Sequence, residues 1–244
     1  MKSAKPVTPA APATARPRRR SSRLRRILTG TPASLALLAG VMLIAHGLQT
    51  PAPPPQPTAA QGFAAGDKAT AVPSASAHSA SAGPQPLAVL APAVPTRVRI
   101  PAIGVNAPLT ALSLGSDGKL AAPPDGDRNL AGWYRAGTSP GSIGTAIIAG
   151  HVDTHQGPAV FYGLGALKKG NTIEVDRADH VDAVFTIDAV EAYAATDFPD
   201  RKVYAPANRP ELRLITCGAG FDKKRQQYLG NVVVFAHMTG NHPG

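Results

Sequence analysis

Short runs rich in Val, Ile, Thr and Phe, separated by Gly, Pro and Asp, fill residues 96–239. Such runs favour β-strands, because β-branched and aromatic side chains suit a pleated surface that Gly and Pro interrupt. The segment Tyr162–Gly170 favours a short helix that ends at its glycine. Many short strands with little helix predict one all-β domain over residues 95–240, folded as a closed or nearly closed barrel. The predicted strands read TRVRIPAI, TAIIAGH, TIEVDR, AVFTIDAVEAY, LRLITC and NVVVFAHM.

The N-terminal part of the chain contains a run of 22 residues, 27–48, without Asp, Glu, Lys or Arg. A helix of about 20 such residues spans the apolar core of a bilayer. The run therefore predicts a transmembrane helix. A cleaved signal peptide is the alternative, since the segment AHGLQTPA, which begins at the end of this run, does not exclude cleavage. The basic tail, residues 1–26, favours a cytoplasmic N-terminus, which places everything after the helix outside the cell membrane as a single-pass protein.

The net charge of +10 does not indicate nucleic-acid binding, because it is not spread over the folded domain. Nine basic residues and no acidic residue lie within residues 1–30. The rest of the chain has 16 basic and 15 acidic residues and is nearly neutral. A charge confined to a short tail is not a folded nucleic-acid-binding face.

Residues 49–94 consist mainly of Pro, Ala, Ser, Thr and Gln, and only Asp67 and Lys68 among them are charged. This composition cannot bury a core, so it predicts a disordered, extended linker between the membrane and the barrel.

The only cysteine, Cys217, ends the predicted strand LRLITC. Alternate residues of a strand share a face, so Cys217, Ile215 and Arg213 are expected to point the same way. The following CGAG is expected to interrupt the strand and leave the thiol at the end of that strand. The alternative is a buried cysteine that packs as a small apolar side chain.

A nucleophilic cysteine needs a neighbouring base or cation. His151 is the best candidate, because it ends the predicted strand TAIIAGH in the same way that Cys217 ends its own. It precedes Cys217 by 66 residues, an order opposite to that of papain-like enzymes. The spacing of His151 and His155 resembles a zinc pair, but the acid of the H-E-x-x-H motif is absent and Gly and Pro flank the segment. No metal site is predicted.

The segments IIAGHVDTHQGPAVFYGLGALKKGNTIEV and LRLITCGAGFD, followed by NVVVFA, resemble the sortases, most of all the class F sortases of actinobacteria. The resemblance covers residues 95–239. It implies an eight-stranded sortase barrel and a cysteine transpeptidase that needs no cofactor. The implied partners are secreted proteins with an LPXTG-like C-terminal signal and an amine of a peptidoglycan precursor. Cys217 would form a thioacyl intermediate, with His151 as general acid and then general base.

The resemblance also implies an arginine that binds substrate or stabilises the oxyanion. The position at which many sortases carry it holds Asn231 here. Arg213, four residues before the cysteine on the predicted face, is the favoured substitute, and Arg225 in the following loop is the alternative. Asn231 is expected to donate a hydrogen bond. Thr216 and Gly218, which flank the cysteine, are expected to contact the substrate.

The sequence alone leaves two other functions open. Cysteine L,D-transpeptidases of the cell wall also use His and Cys, but LRLITCGAG lacks the His, Ser and Gly that crowd before their cysteine. A non-enzymatic β-barrel that binds the wall or a partner would instead carry an unreactive Cys217.

Overall fold

The computed structural model describes residues 52–63 and 88–244, which belong to one compact unit that runs from Pro51 to Gly244. In chain order the described strands are β1 Pro95–Ile100, β2 Val105–Leu112, β3 Ala131–Tyr134, β4 Gly144–Gly150, β5 Asp153–Thr154, β6 Gly157–Pro158, β7 Thr172–Arg177, β8 Val181–Ala194, β9 Pro210–Asp222 and β10 Gln227–Pro243. Eight of them close into a barrel, in the order β1-β2-β3-β4-β9-β10-β8-β7. The two short strands β5 and β6 form a separate hairpin.

The helices of the described residues are short. One α-helix among them, α1, covers Asp200–Tyr204, and 3-10 helices cover Ala59–Gln61, Pro101–Ile103, Leu164–Ala166 and Ala195–Asp197. The predicted helix in Tyr162–Gly170 is the third of these 3-10 turns. Within the described residues, no helix has the length and apolar character that crossing a membrane requires. The predicted span 27–48 lies outside these residues.

The all-β prediction and the closed eight-stranded barrel are confirmed. Neighbouring strands pair in antiparallel fashion, except that β2 pairs with β3 and β4 pairs with β9 in parallel. The interior is filled by side chains that alternate along each strand, including Ile148, Phe185, Leu212 and Leu214. Full burial of each such side chain contributes about 1.5–3 kcal/mol.

A smaller apolar cluster lies on the other face of the β8-β10-β9 region. It joins Ile215, Val233 and Phe235 to Val203 of α1. The alternation of Leu212 and Leu214 in one cluster with Ile215 in the other confirms the predicted faces of β9. This outer face also carries Cys217.

Residues 52–63, here called the N-terminal strap, lie against the barrel. The carbonyl oxygens of Gly165 and Leu167 both accept hydrogen bonds from the Gln61 side chain. The ring of Phe63 packs edge-on against Phe235, with centroids 5.2 Å apart, and its backbone N–H donates to Glu191 Oε1 at 2.8 Å. Part of the predicted linker therefore packs on the domain, although its composition cannot form a core of its own.

Candidate active site

Cys217 is an exposed residue on β9, and its direct partner across the β9-β10 pair is Asn231. The expected strand break at CGAG is wrong, because β9 continues to Asp222. Pairing with β10 resumes at Phe221 after an irregularity in the register. Ala219 and Gly220 take up that irregularity with φ angles of 57° and 95°. A local bulge of this kind re-aims a strand without ending it.

The register of β4 against β9 brings His151 next to Cys217. Ala149 pairs with Ile215, the last recorded pair of these parallel strands. One residue further, Thr216 Oγ1 donates a 2.8 Å hydrogen bond to the carbonyl oxygen of Gly150. The next position in the same register aligns His151 with Cys217, on strands that lie about 4.8 Å apart. His151, directly after β4, is thus in line with Cys217 of β9 and its partner Asn231 of β10.

The His151 ring is held by the loop between β2 and β3. Its Nε2 lies 2.7 Å from the carbonyl oxygen of Pro123 and 2.9 Å from Asp125 Oδ1. Both neighbours are acceptors, so Nε2 carries a proton in this arrangement. The other ring nitrogen, Nδ1, is then the one that can exchange a proton with a reactant when the ring is neutral. Nothing in the sequence pattern singled out Asp125, because a carboxylate in a long loop has no local signature.

A cleft of about 540 Å³ opens beside this row of residues. A volume of this size suits a short peptide segment or a small ligand. Its walls are largely apolar, and the β2-β3 loop forms one side of it with Leu120 and Pro123. Polar side chains in the lining come from several elements: Lys119, Tyr134, His151, Asp200, Tyr204, Thr216, Cys217 and Asn231.

The surroundings of the Cys217 thiol favour its neutral form. Partial burial and the negative charge of Asp153 both raise the pKa of this thiol. Asp153 in turn accepts a hydrogen bond from the hydroxyl group of Tyr228. Burial, this hydrogen bond and the nearby charges raise the pKa of Tyr228, so the phenol stays protonated.

Arg213 lies on the predicted face, but it does not line the cleft. Its guanidinium group pairs with Glu211 at 2.6 Å and lies over the Phe235 ring at 4.7 Å. These residues border another cavity, of about 410 Å³, together with Phe63 and Asp188. Four residues of strand separate Arg213 from Cys217 by about 13 Å, and the side chain is already engaged at its own end.

The remaining predicted residues are placed as follows. Asn231 and Thr216 line the cleft, and Asn231 Nδ2 donates to the Thr216 carbonyl oxygen at 3.3 Å. Gly218 is buried under β10, where an added Cβ would come within 2.6 Å of Val232 Cγ2. Arg225 is largely exposed and lies 3.8 Å from Asp222. Among the described residues, no three His, Cys, Asp or Glu side chains converge as a metal site.

Comparison with known proteins identifies the family. A family model described as Sortase domain matches residues 98–239, more than half of the chain. Sortase A of Listeria monocytogenes is similar in structure, with 18% identity over 62% of this chain and 91% of that chain and a TM-score of 0.46. The SrtA sortase of Actinomyces oris has 22% identity over 61% and 81% of the two chains, with a TM-score of 0.47.

Sortase A of Corynebacterium diphtheriae is a third similar structure, with 18% identity and a TM-score of 0.46. The match covers 61% of this chain and 61% of that one. A search of the curated proteins finds no significant match. The family model and the single cysteine on the barrel lead to one conclusion: the chain belongs to the sortase family of cysteine transpeptidases.

Proposed function

We propose that this sortase cleaves an LPXTG-like sorting signal on secreted proteins and transfers the cleaved protein to an amine of the cell wall. The observation that carries the proposal is the alignment of His151 with Cys217 at the edge of the cleft, clamped by the Thr216–Gly150 hydrogen bond. A nucleophile within β9 and a base directly after the adjacent strand β4, beside a cleft of peptide size, suit acyl transfer.

The first half of the reaction forms a thioester. Cys217 gives its proton to His151 as its Sγ attacks the carbonyl carbon of the threonine, and the tetrahedral intermediate collapses as the C–N bond to the following glycine breaks. His151 donates a proton to the departing amine. Asn231 lies directly across from Cys217, so its side-chain amide is a candidate donor for the oxyanion or the flanking peptide.

The second half reverses these roles. The incoming amine attacks the thioester carbon, His151 accepts a proton from it, and the Cys217 sulfur leaves as thiolate and is then reprotonated. A thiolate is a better leaving group than an amide nitrogen, which is why transfer proceeds from this intermediate. Arg213 takes no part in either half in our proposal, since its side chain is paired with Glu211 in another cavity.

We further propose that residues 27–48 hold the enzyme in the cell membrane, with the tail 1–26 in the cytoplasm and the barrel outside. The charge asymmetry around the apolar run supports this orientation. Protease added to intact cells should digest the barrel and spare the tail, and alkaline washing should leave the protein in the membrane fraction. A soluble secreted form that begins near residue 50 would show that the run is a cleaved signal peptide.

The enzymatic test uses a soluble protein of residues 51–244, which contains all ten described strands. It is incubated with a fluorophore–quencher LPXTG peptide, with and without an amine such as triglycine, and the products are identified by mass spectrometry. We expect cleavage and amine transfer by the wild type, and neither by Cys217→Ala. His151→Ala should lose at least about a hundredfold of the rate, in the range typical for general acid–base catalysis.

The matched control is His155→Ala, the second histidine of HVDTH, which is exposed and outside the cleft lining. It should retain wild-type activity. Absence of both cleavage and transfer by the wild type, or full activity of Cys217→Ala, would refute the proposed function.

A further inference from the structure

Asp153 is the first residue of the β5-β6 hairpin and lies only two residues after His151. The base of this hairpin is closed by its own backbone: Phe161 N–H donates to the His151 carbonyl oxygen, and Ala159 N–H donates to that of Val152, both at 3.0 Å. Its tip is tied by Arg128, which donates to the Gln156 carbonyl oxygen at 3.1 Å. Asp153 therefore lies between the end of β4 and a hairpin that is held at both its base and its tip.

Tyr228 binds Asp153 from the opposite direction. It lies near the start of β10, three residues before Asn231, and its hydroxyl group donates to Asp153 Oδ2. Its ring packs edge-on against Phe221 of β9, with centroids 5.0 Å apart. The phenol is thus held by the same strand pair that carries Cys217 and Asn231.

The Tyr228–Asp153 hydrogen bond completes a closed series of contacts around the thiol. One half runs from Cys217 through the Thr216–Gly150 bond to His151 and Asp153. The other half runs from Cys217 through its partner Asn231 to Tyr228. Without the Asp153–Tyr228 bond, the segment of His151 and Asp153 would be connected to the segment of Asn231 and Tyr228 only through β9. Among the described contacts, the hairpin after His151 would then have no side-chain hydrogen bond to β10.

We propose that Asp153 and Tyr228 are positioning residues for the acyl transfer: their hydrogen bond locks the His151 hairpin onto the Cys217–Asn231 strand pair and places a carboxylate beside the thiol. This inference rests on the proposed function, which it deepens. The arrangement has a chemical consequence. Burial of the thiol and repulsion by the Asp153 carboxylate both disfavour the thiolate of Cys217 in the free enzyme and raise the pKa of this thiol.

Other titratable groups face the same region, and they set the background for a pH experiment. The phenol of Tyr162 is close enough to Tyr228 to act on it electrostatically, and Asp125 contacts the His151 ring. Across the cleft, the charged or titratable lining residues are Lys119, Tyr134, Asp200 and Tyr204. The variants Asp153→Asn and Tyr228→Phe leave all of these groups unchanged.

Two variants separate the charge of the pair from its hydrogen bond. Asp153→Asn removes the charge, while the amide oxygen still accepts from Tyr228. Tyr228→Phe removes the hydrogen bond and leaves the carboxylate. Both are made in the protein of residues 51–244. The pH midpoint of Cys217 alkylation by iodoacetamide is measured without peptide, and kcat and KM are measured with the LPXTG peptide.

For Asp153→Asn we expect the alkylation midpoint to fall by about 0.5–1 pH unit, as loss of one nearby charge in a half-exposed site predicts. Its kcat should stay within about threefold of the wild type, because positioning is retained. For Tyr228→Phe we expect kcat to fall about tenfold with KM nearly unchanged, as a small misplacement of reacting groups predicts. Its alkylation midpoint should not fall.

The matched control is Tyr193→Phe, which breaks another phenol–carboxylate hydrogen bond, that of Tyr193 with Glu191 on β8. It should change neither the midpoint nor kcat. If Asp153 and Tyr228 have only a structural role, their variants will lower Tm but leave the midpoint and the kcat of the folded enzyme unchanged, and this result would overturn the inference. If Tyr228→Phe does not fold, the pH midpoint of Cys217 alkylation in Asp153→Asn alone tests the inference. A wild type that cleaves nothing refutes the proposed function, whereas the alkylation profile still tests the charge.

Discussion

Thr216 Oγ1 donates a 2.8 Å hydrogen bond to the carbonyl oxygen of Gly150, and this bond joins the residue before Cys217 to the residue before His151. Both partners are buried at the end of the parallel β4-β9 pair. A parallel pair keeps equivalent residues side by side, so the bond sets the spacing of the two chemically active side chains. Neither Thr216 nor Gly150 needs to touch the substrate for this effect.

Thr216→Val should therefore reduce kcat about tenfold, because it removes the hydrogen bond that clamps β9 beside Cys217 to the end of β4 before His151. It should also cost about 1–3 kcal/mol of stability, since the Gly150 carbonyl oxygen loses its buried partner. Thr145→Val is the matched control: Thr145 is buried on β4 and its hydroxyl donates to the Ala205 carbonyl oxygen at 2.7 Å. It should lose similar stability in urea titrations and keep its kcat. Equal kcat values for the two variants would contradict the clamp.

Asp125 holds the His151 ring through Nε2 at 2.9 Å, and Asp125→Asn should weaken this hold. Asp125 is largely exposed, so we expect only about a two- to fivefold loss of kcat/KM, in line with the small worth of exposed ion pairs. Asp127→Asn in the same loop is the control, because its amide oxygen can still accept the bond from the Asn129 backbone. Steady-state kinetics on both variants check this, and a loss beyond a hundredfold for Asp125→Asn would assign it a larger role.

Arg213 is buried and paired with Glu211, so Arg213→Met should destabilise the domain and leave the folded enzyme active. Breaking one half of a buried ion pair costs about 3–5 kcal/mol, and replacing both halves by apolar residues can restore stability. We therefore expect Tm to fall in Arg213→Met and to recover in Arg213→Met/Glu211→Leu. A tenfold loss of kcat with unchanged Tm would instead support the catalytic role that the sequence suggested for this arginine.

The same ion pair predicts a stability change in acid. Burial opposes ionisation of Glu211, but hydrogen bonds from Arg213 and Arg209 outweigh it and lower the pKa of this carboxyl. A lowered folded-state pKa stabilises the native protein at pH values above the unfolded-state pKa, about 4.3 for glutamate, and this stabilisation is lost as the pH falls through the folded-state pKa. Glu211→Gln should flatten this part of the unfolding free energy profile, measured by urea titration between about pH 6 and pH 3. An unchanged slope would show that the pair contributes nothing.

Gly165 allows the N-terminal strap to dock. A Cβ added there would lie 2.0 Å from the Pro55 carbonyl oxygen, so Gly165→Ala should displace the strap. In the protein of residues 51–244 we expect a loss of about 1–3 kcal/mol, the usual cost of overpacking. In a protein of residues 64–244, which lacks the strap, the same substitution should cost less than about 1 kcal/mol. Equal costs in thermal unfolding would show that the strap does not bind at this glycine.

Most of the strands could be predicted from local pattern. LRLITC, TAIIAGH and NVVVFAHM carry enough β-branched residues to be recognised, and each became part of a barrel strand. Strands β2 and β3 were missed, because VNAPLTAL contains a proline and AGWY is only four residues long. Both strands are stabilised by pairing with strands elsewhere in the chain, which a short stretch of sequence does not reveal. The extension of β9 past Cys217 was missed for the same reason.

The sequence by itself determined the composition of the barrel, the alternation that places Cys217 and Arg213 on one face, and the two motifs that mark the family. These properties depend on side-chain type and on the period of a strand, which are local. Only the tertiary structure decided which groups meet at the site. The parallel register brings His151 to Cys217, the β2-β3 loop adds Asp125, and the start of β10 adds Tyr228. Arg213 pairs with Glu211 instead, because an ion pair two residues away satisfies its charge where it is buried.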